Sequence, residues 1–209
     1  MSLCFAMNFG DCVIIAGDGR LTERVNKTTV AEDHQKLSPI TNNMVLYTSG
    51  IQDIAEMVRN DVCQSIKEGT SQEVSNLLTN ISQHYHEKVT NQFPELFQSE
   101  NDTSTGSVLA CFENKKPFFI DFASRDGFKP LVCEKLGDMG FRGIGQSEAR
   151  EYFARKFNKI HVGMNIADLL LDTYSYISSL YGEVGGKLRI YYVHKDGVNL
   201  LREGMIHQC

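Results

Sequence analysis

The amino-acid sequence predicts an α+β fold in which two antiparallel sheets lie between two pairs of helices, a four-layer αββα sandwich. Three observations carry this expectation. Strand-like and helix-like periodicities are segregated along the chain in the order strands, two helices, strands, two helices, strands, the pattern of α+β layers and not of alternating βαβ units. Short turn signals join neighbouring apolar runs into hairpins. The first two helical segments each carry one apolar stripe, and therefore need a sheet face to cover it. With 209 residues, 42% hydrophobic and 22% charged content and four prolines, the chain has the makeup of a single domain over 1–209 without a stiff linker.

Two apolar runs, 3–9 and 12–16, flank Gly10-Asp11, a hairpin signal. Strands are expected over 28–31, 35–40 and 44–48, with Asn42-Asn43 turning between the last two. From Ile51 the period lengthens: Ile54, Met57, Val58, Val62, Ser65 and Ile66 recur at helical spacing until Gly69. A second helix is expected over 71–92, with Val74, Leu77, Leu78, Ile81, Tyr85 and Val89 on one side and Pro94 beyond its end. The polar stretch 98–105 reads as a loop. Strands follow over 106–112, 117–123 and, after Arg125-Asp126-Gly127, 130–136. A glycine-rich segment containing Gly143-Ile144-Gly145 leads into a helix over 147–157, and a fourth helix spans 165–181. Strands over 187–194 and 198–203 come next, around Lys195-Asp196-Gly197.

Composition removes several function classes. A formal net charge of −5, with no Lys/Arg run longer than Lys115-Lys116, argues against a nucleic-acid partner. Cys4, Cys12, Cys63, Cys111, Cys133 and Cys209 avoid CxxC and Cys/His ligand spacings and sit mostly in apolar runs, which predicts buried free thiols in a reducing compartment. The start lacks a basic signal region and no apolar run approaches the ~20 residues of a membrane span, so a cytoplasmic protein is expected, with no membrane partner. Gly143-Ile144-Gly145 is not a full GxGxxG phosphate loop. His84 and His86 are two apart on a helix and point to different sides, while His161 and His194 have no acidic or Cys partner at metal spacing. Neither a cofactor nor a metal is expected.

The element order and three local motifs resemble the proteasome β-subunit superfamily of N-terminal nucleophile (Ntn) hydrolases, including the bacterial proteasome-like peptidases, over nearly the whole chain. Asp18-Gly19-Arg20-Leu21-Thr22 is similar to the family's Asp-x-Arg-x-Thr after the first hairpin. Lys36-Leu37-Ser38-Pro39-Ile40 is similar to its Lys-hydrophobic-x-x-Ile strand, and Thr48-Ser49-Gly50 stands where it has a small-small-Gly turn before the first helix. Family members attack with the residue at the mature N-terminus, sixteen positions before the Asp of the first motif, and Ser2 is sixteen positions before Asp18. Met1 precedes a small side chain, so methionine excision would expose Ser2.

A free α-amine on Ser2 has a reference pKa of about 7.7–8.0, suited to a general base for its own hydroxyl. A nearby Lys36 would disfavour the protonated amine, and Asp18 would hold the Lys36 ammonium. By resemblance, Gly50 N–H is the oxyanion donor. Thr22 and Ser49 would hold the substrate backbone and Thr48 would line the first specificity pocket, while Arg20, in the same substrate-binding stretch, reads as a structural ion-pair partner and not a catalytic group. The implied substrate is a peptide or unfolded protein, the implied assembly a homo-oligomeric ring, with an ATP-driven unfoldase as a possible partner. The helical stripe Ile54, Val58 and Val62, beside Leu77 and Ile81, offers a candidate assembly surface.

Several positions depart from the family pattern. Ile144 replaces the serine of a Gly-Ser-Gly that supports the terminal amine, and Tyr181 and Val184 stand where an Asp and a Ser usually precede Gly-Gly, with Glu183 a conceivable substitute. A non-catalytic ring or scaffold subunit of the same fold is therefore the alternative, and a small-molecule amidase a third. Cys4 is the rival nucleophile, two residues out of register on the same strand face as Ser2.

Overall fold

The computed structural model describes residues 2–23, 26, 28–94, 105–157 and 165–206. Met1, His161, Cys209 and most of the loop expected over 98–105 lie outside the described residues. The elements are β1 (Leu3–Asn8), β2 (Cys12–Gly17), β3 (Leu21–Thr22), β4 (Thr29–Ala31), β5 (Leu37–Thr41), β6 (Met44–Ser49), α1 (Gln52–Ser65), α2 (Ser71–Gln92), β7 (Gly106–Glu113), β8 (Lys116–Ala123), β9 (Leu131–Cys133), β10 (Met139–Gly143), α3 (Gln146–Phe157), α4 (Ile166–Leu180), β11 (Lys187–His194) and β12 (Gly197–Met205). They form a mixed α+β structure with three antiparallel sheets among the described residues. One has the order β10-β1-β2-β11-β12, another β5-β6-β7-β8-β9, and the third is the β3-β4 pair.

The alternation of side chains along a strand explains why β1, β2 and β6 are buried throughout. Leu3, Phe5 and Met7 of β1 point into a core shared with Phe153 of α3 and Leu170 and Tyr174 of α4. Cys4 and Ala6, on the opposite face, join Val45 and Tyr47 of β6 and Val108 and Ala110 of β7 between the two large sheets. Met44 and Leu46 of β6 face the other way, into a third core with α1 and α2. Phe153 lies fully buried against Phe5, with ring centroids 4.9 Å apart; its truncation to Ala costs about 3–5 kcal/mol by analogy with other cores. The helices begin where the local chemistry dictates: Thr70 and Glu73 form a reciprocal capping box for α2, and Asn165 caps α4 by accepting from the Ala167 N–H.

Three sequence expectations change. The stripe Ile54, Val58 and Val62 is buried in the α1/α2 core against β6 and β7, with Leu77 and Ile81 packed against the same core, so it is not an assembly surface. One apolar stripe cannot serve both the sheet and a second subunit. Residues 139–143, read as part of a glycine-rich loop, form β10, paired with β1 from Leu3↔Gly143 to Met7↔Met139. Gly143 marks a close backbone approach: a Cβ there would lie 1.8 Å from the Ser2 carbonyl oxygen. The strand expected over 130–136 is limited to β9, whereas the one expected over 198–203 extends to Met205.

Candidate active site

The site grows from the first residue of the hairpin. Asp18 follows directly on β2, and its buried carboxylate gathers donors from separate parts of the chain. Oδ1 accepts the Leu3 N–H at 2.8 Å; Oδ2 accepts the N–H groups of Arg20 and Gly185, each at 3.3 Å, and lies 3.3 Å from Lys36 Nζ. Lys36, just before β5, also donates to the Arg20 carbonyl at 2.5 Å. Both side chains of the pair are almost fully enclosed. Burial is the main influence on Lys36 and holds its ammonium below the usual lysine range, with the Asp18 charge opposing.

Ser2 is held on several sides. Its carbonyl accepts the N–H of Ile144 at 3.1 Å, and its Oγ accepts from the Tyr47 hydroxyl at 2.9 Å. Burial pushes the Tyr47 phenol well above its ordinary range, so it is a neutral hydrogen-bonding group and not a base. The Tyr174 hydroxyl, from α4, lies 2.9 Å from the Ala16 carbonyl and 3.2 Å from that of Leu3, which fixes the start of β1 against β2. Tyr47 did not stand out in the sequence. The available signal was a tyrosine at an inward position of an apolar strand, whose hydroxyl must find a partner once buried.

Thr48, Ser49 and Gly50 end β6 beside Ser2. Gly50 has φ +115°, and a Cβ there would meet Thr105 Cα at 2.6 Å, so both conformation and space require glycine. Thr48 Oγ1 is buried with no hydrogen-bond partner among the described residues. Two cavities meet at Ser2, Ser49 and Gly50. The smaller, about 30 Å³, is also lined by Leu21, His34, Lys36, Thr48, Gln52, Ala55 and Arg59. The larger, about 700 Å³, runs between the sheets toward Cys4, Asp121, Met139, Arg142 and Ile144.

Ser2, Asp18, Lys36, Thr48, Ser49 and Gly50 are thus assembled in one region. Arg20 and Thr22 line neither cavity. Arg20 pairs with Glu32 at 3.0 Å and donates to the Gly182 carbonyl at 2.7 Å; a Cβ on Gly185 would lie 2.5 Å from its guanidinium carbon. It ties the loop before β11 to the Asp18 turn. Thr22 is half-buried in β3, opposite Thr29. Ile144 and Tyr181 pack on the α3/α4 core and Val184 is buried in it. Tyr181 also hydrogen-bonds Glu148 at 2.9 Å.

Cys4 has 1% of its surface exposed, and burial raises its thiol well above the usual range, which leaves little thiolate for attack. Among the described residues no three His, Cys, Asp or Glu side chains converge as a metal site would require, and no helix is long and apolar enough to cross a membrane. Comparison of the chain with protein-family models and with curated protein sequences gives no match.

Proposed function

We propose that this chain is an Ntn hydrolase of the proteasome β-subunit type, with the four-layer αββα architecture of that class, and that it cleaves peptide bonds through an acyl-enzyme on Ser2 after removal of Met1. The observation that carries the proposal is the buried Asp18–Lys36 pair, whose carboxylate also holds the Leu3 N–H, next to a serine at the junction of two cavities. Burying two charges is costly unless both are paired and hydrogen-bonded, and a plain turn carboxylate needs neither the burial nor the lysine.

In the proposed reaction the Ser2 α-amine takes the proton from Oγ as Oγ bonds to the carbonyl carbon of the substrate. Lys36 keeps that amine unprotonated, and Gly50 N–H donates to the developing oxyanion, a contact worth about 2.7–4 kcal/mol elsewhere. The amine then gives the proton to the departing nitrogen as the C–N bond breaks. Water, deprotonated by the same amine, hydrolyses the ester and restores Ser2. Tyr47 fixes the Oγ position, and Ser49 and Thr48 flank the acyl portion. Assembly into a ring and delivery of unfolded substrate by an ATP-driven unfoldase belong to the same proposal.

A non-catalytic scaffold of the same fold is favoured by one observation: Ile144, Tyr181 and Val184 pack on the α3/α4 core where amine-supporting Ser and Asp side chains are expected. The two are separated by peptide hydrolysis with protein whose mass shows that it begins at Ser2. Catalysis requires turnover that Ser2→Ala abolishes while the fold persists. Absence of turnover across a diverse peptide library favours the scaffold.

A further inference from the structure

The larger cavity has a charge balance that the proposed chemistry does not use. Its charged lining among the described residues is Arg125, Arg142 and Arg150 against the single carboxylate of Asp121, an excess of two positive charges in a chain whose net charge is −5. Arg142 is fixed: Nε and Nη2 meet Asp121 at 2.7 and 2.5 Å, and Nη1 lies where a Cβ on Gly106 would come within 2.6 Å. Arg125 and Arg150, both exposed, contact Asp126 at 3.3 Å and the Met139 carbonyl at 3.3 Å respectively, each through one nitrogen. A guanidinium offers five N–H donors, so each of the three has donors left for a ligand. The N-terminal residues of α3, Gln146 and Ser147, add amide and hydroxyl groups to the same wall.

From this wall we infer that the large cavity is a subsite for an acidic peptide segment, on the leaving-group side of the scissile bond. The side follows from the proposed function, on which this rests: the small cavity beside Thr48 takes the acyl portion, and the large one opens from the other flank of Ser2. Its volume of about 700 Å³ suits several residues of extended chain. Carboxylates on the segment can meet the guanidinium groups in their fork geometry, and the excess of positive charge along the wall adds a longer-range attraction that salt screens.

Binding to the Ser2→Ala chain tests this without turnover. Fluorescence anisotropy with labelled tetraglutamate and tetraglutamine peptides should show the acidic peptide binding at least about tenfold more tightly at low ionic strength, as charge-assisted bonds require. Arg125→Gln/Arg150→Gln should erase that difference. Equal affinities, or a preference that survives the double substitution, overturn the subsite. Displacement by inorganic phosphate as readily as by unlabelled tetraglutamate also overturns it, since the site then takes free anions and not a peptide. The peptidase proposal fails separately: acidic-peptide binding with no turnover by the Ser2-initiated chain keeps the subsite and removes the chemistry.

Discussion

Lys36 Nζ lies 3.3 Å from Asp18 Oδ2, and the other oxygen of that carboxylate accepts the Leu3 N–H at 2.8 Å. One buried charge pair therefore fixes both the strand that carries Ser2 and the lysine proposed to tune its amine. Asp18→Asn leaves the Lys36 ammonium buried without its counter-charge and should cost about 3–5 kcal/mol in urea unfolding. Asp18→Asn/Lys36→Met should be more stable than Asp18→Asn alone, because the orphaned charge is gone. A double variant no better than Asp18→Asn would mean that the two groups do not interact.

The pH dependence has a definite sign. Burial lowers the folded-state pKa of Lys36, so the unfolded chain binds this proton more tightly. Stability from this site rises with pH through the folded pKa toward the ordinary lysine value of about 10.4. Unfolding free energies of parent and Lys36→Met, compared from about pH 8 to about pH 10, should diverge in the parent's favour as pH rises.

Gly143 is expected to be irreplaceable for steric reasons. It has φ +114°, and an added Cβ would lie 1.8 Å from the Ser2 carbonyl oxygen. Gly143→Ala should lower stability by more than about 1 kcal/mol and shift β1 relative to β10. Gly182, where a Cβ meets nothing within 4 Å, serves as the control and should tolerate alanine. Thermal melts of the two variants make the comparison.

If the proposed chemistry holds, the small cavity limits the acyl-side residue. About 30 Å³ beside an unpartnered Thr48 hydroxyl has room for a water or two, or a side chain of similar size. Peptides with Gly, Ala or Ser at that position should be cleaved in preference to Leu or Phe, as read from kcat/KM across the set.

Cys4, Cys12 and Cys111 should be slow to react in the folded protein. Burial raises the thiols of Cys4 and Cys111 well above their usual range, and Cys12 is pushed up to about 12. Alkylation at neutral pH, mapped by peptide mass spectrometry, should spare these three until denaturant is added.

Much of the frame was legible in the sequence because local chemistry and global packing agree. The helical spacing of Val74, Leu77, Leu78, Ile81, Tyr85 and Val89 gave α2, and the Gly10-Asp11 turn between two apolar runs gave the β1–β2 hairpin. Asp18, Lys36 and Gly50 stood out only because the motifs that contain them resemble those of a known family. What escaped notice depends on contacts between distant segments. Gly143 of β10 lies against the Ser2 backbone, and with Gly140 it gives the strand a composition that resembles a loop. The Tyr47–Ser2 and Arg142–Asp121 contacts join residues 45 and 21 positions apart, and no local period encodes either. The stripe on α1 was legible as apolar, but apolarity alone does not say whether a sheet or a second subunit covers it.

The most direct test of the proposed nucleophile is covalent labelling with a β-lactone, read by intact mass and peptide mapping, on chains that begin at Met1 and at Ser2. A hydroxyl activated by its own α-amine predicts one adduct per chain, on Ser2, formed only when Ser2 is the first residue and lost in Ser2→Ala. An adduct on Cys4, labelling of both chains alike, or no adduct on the Ser2-initiated chain would contradict it.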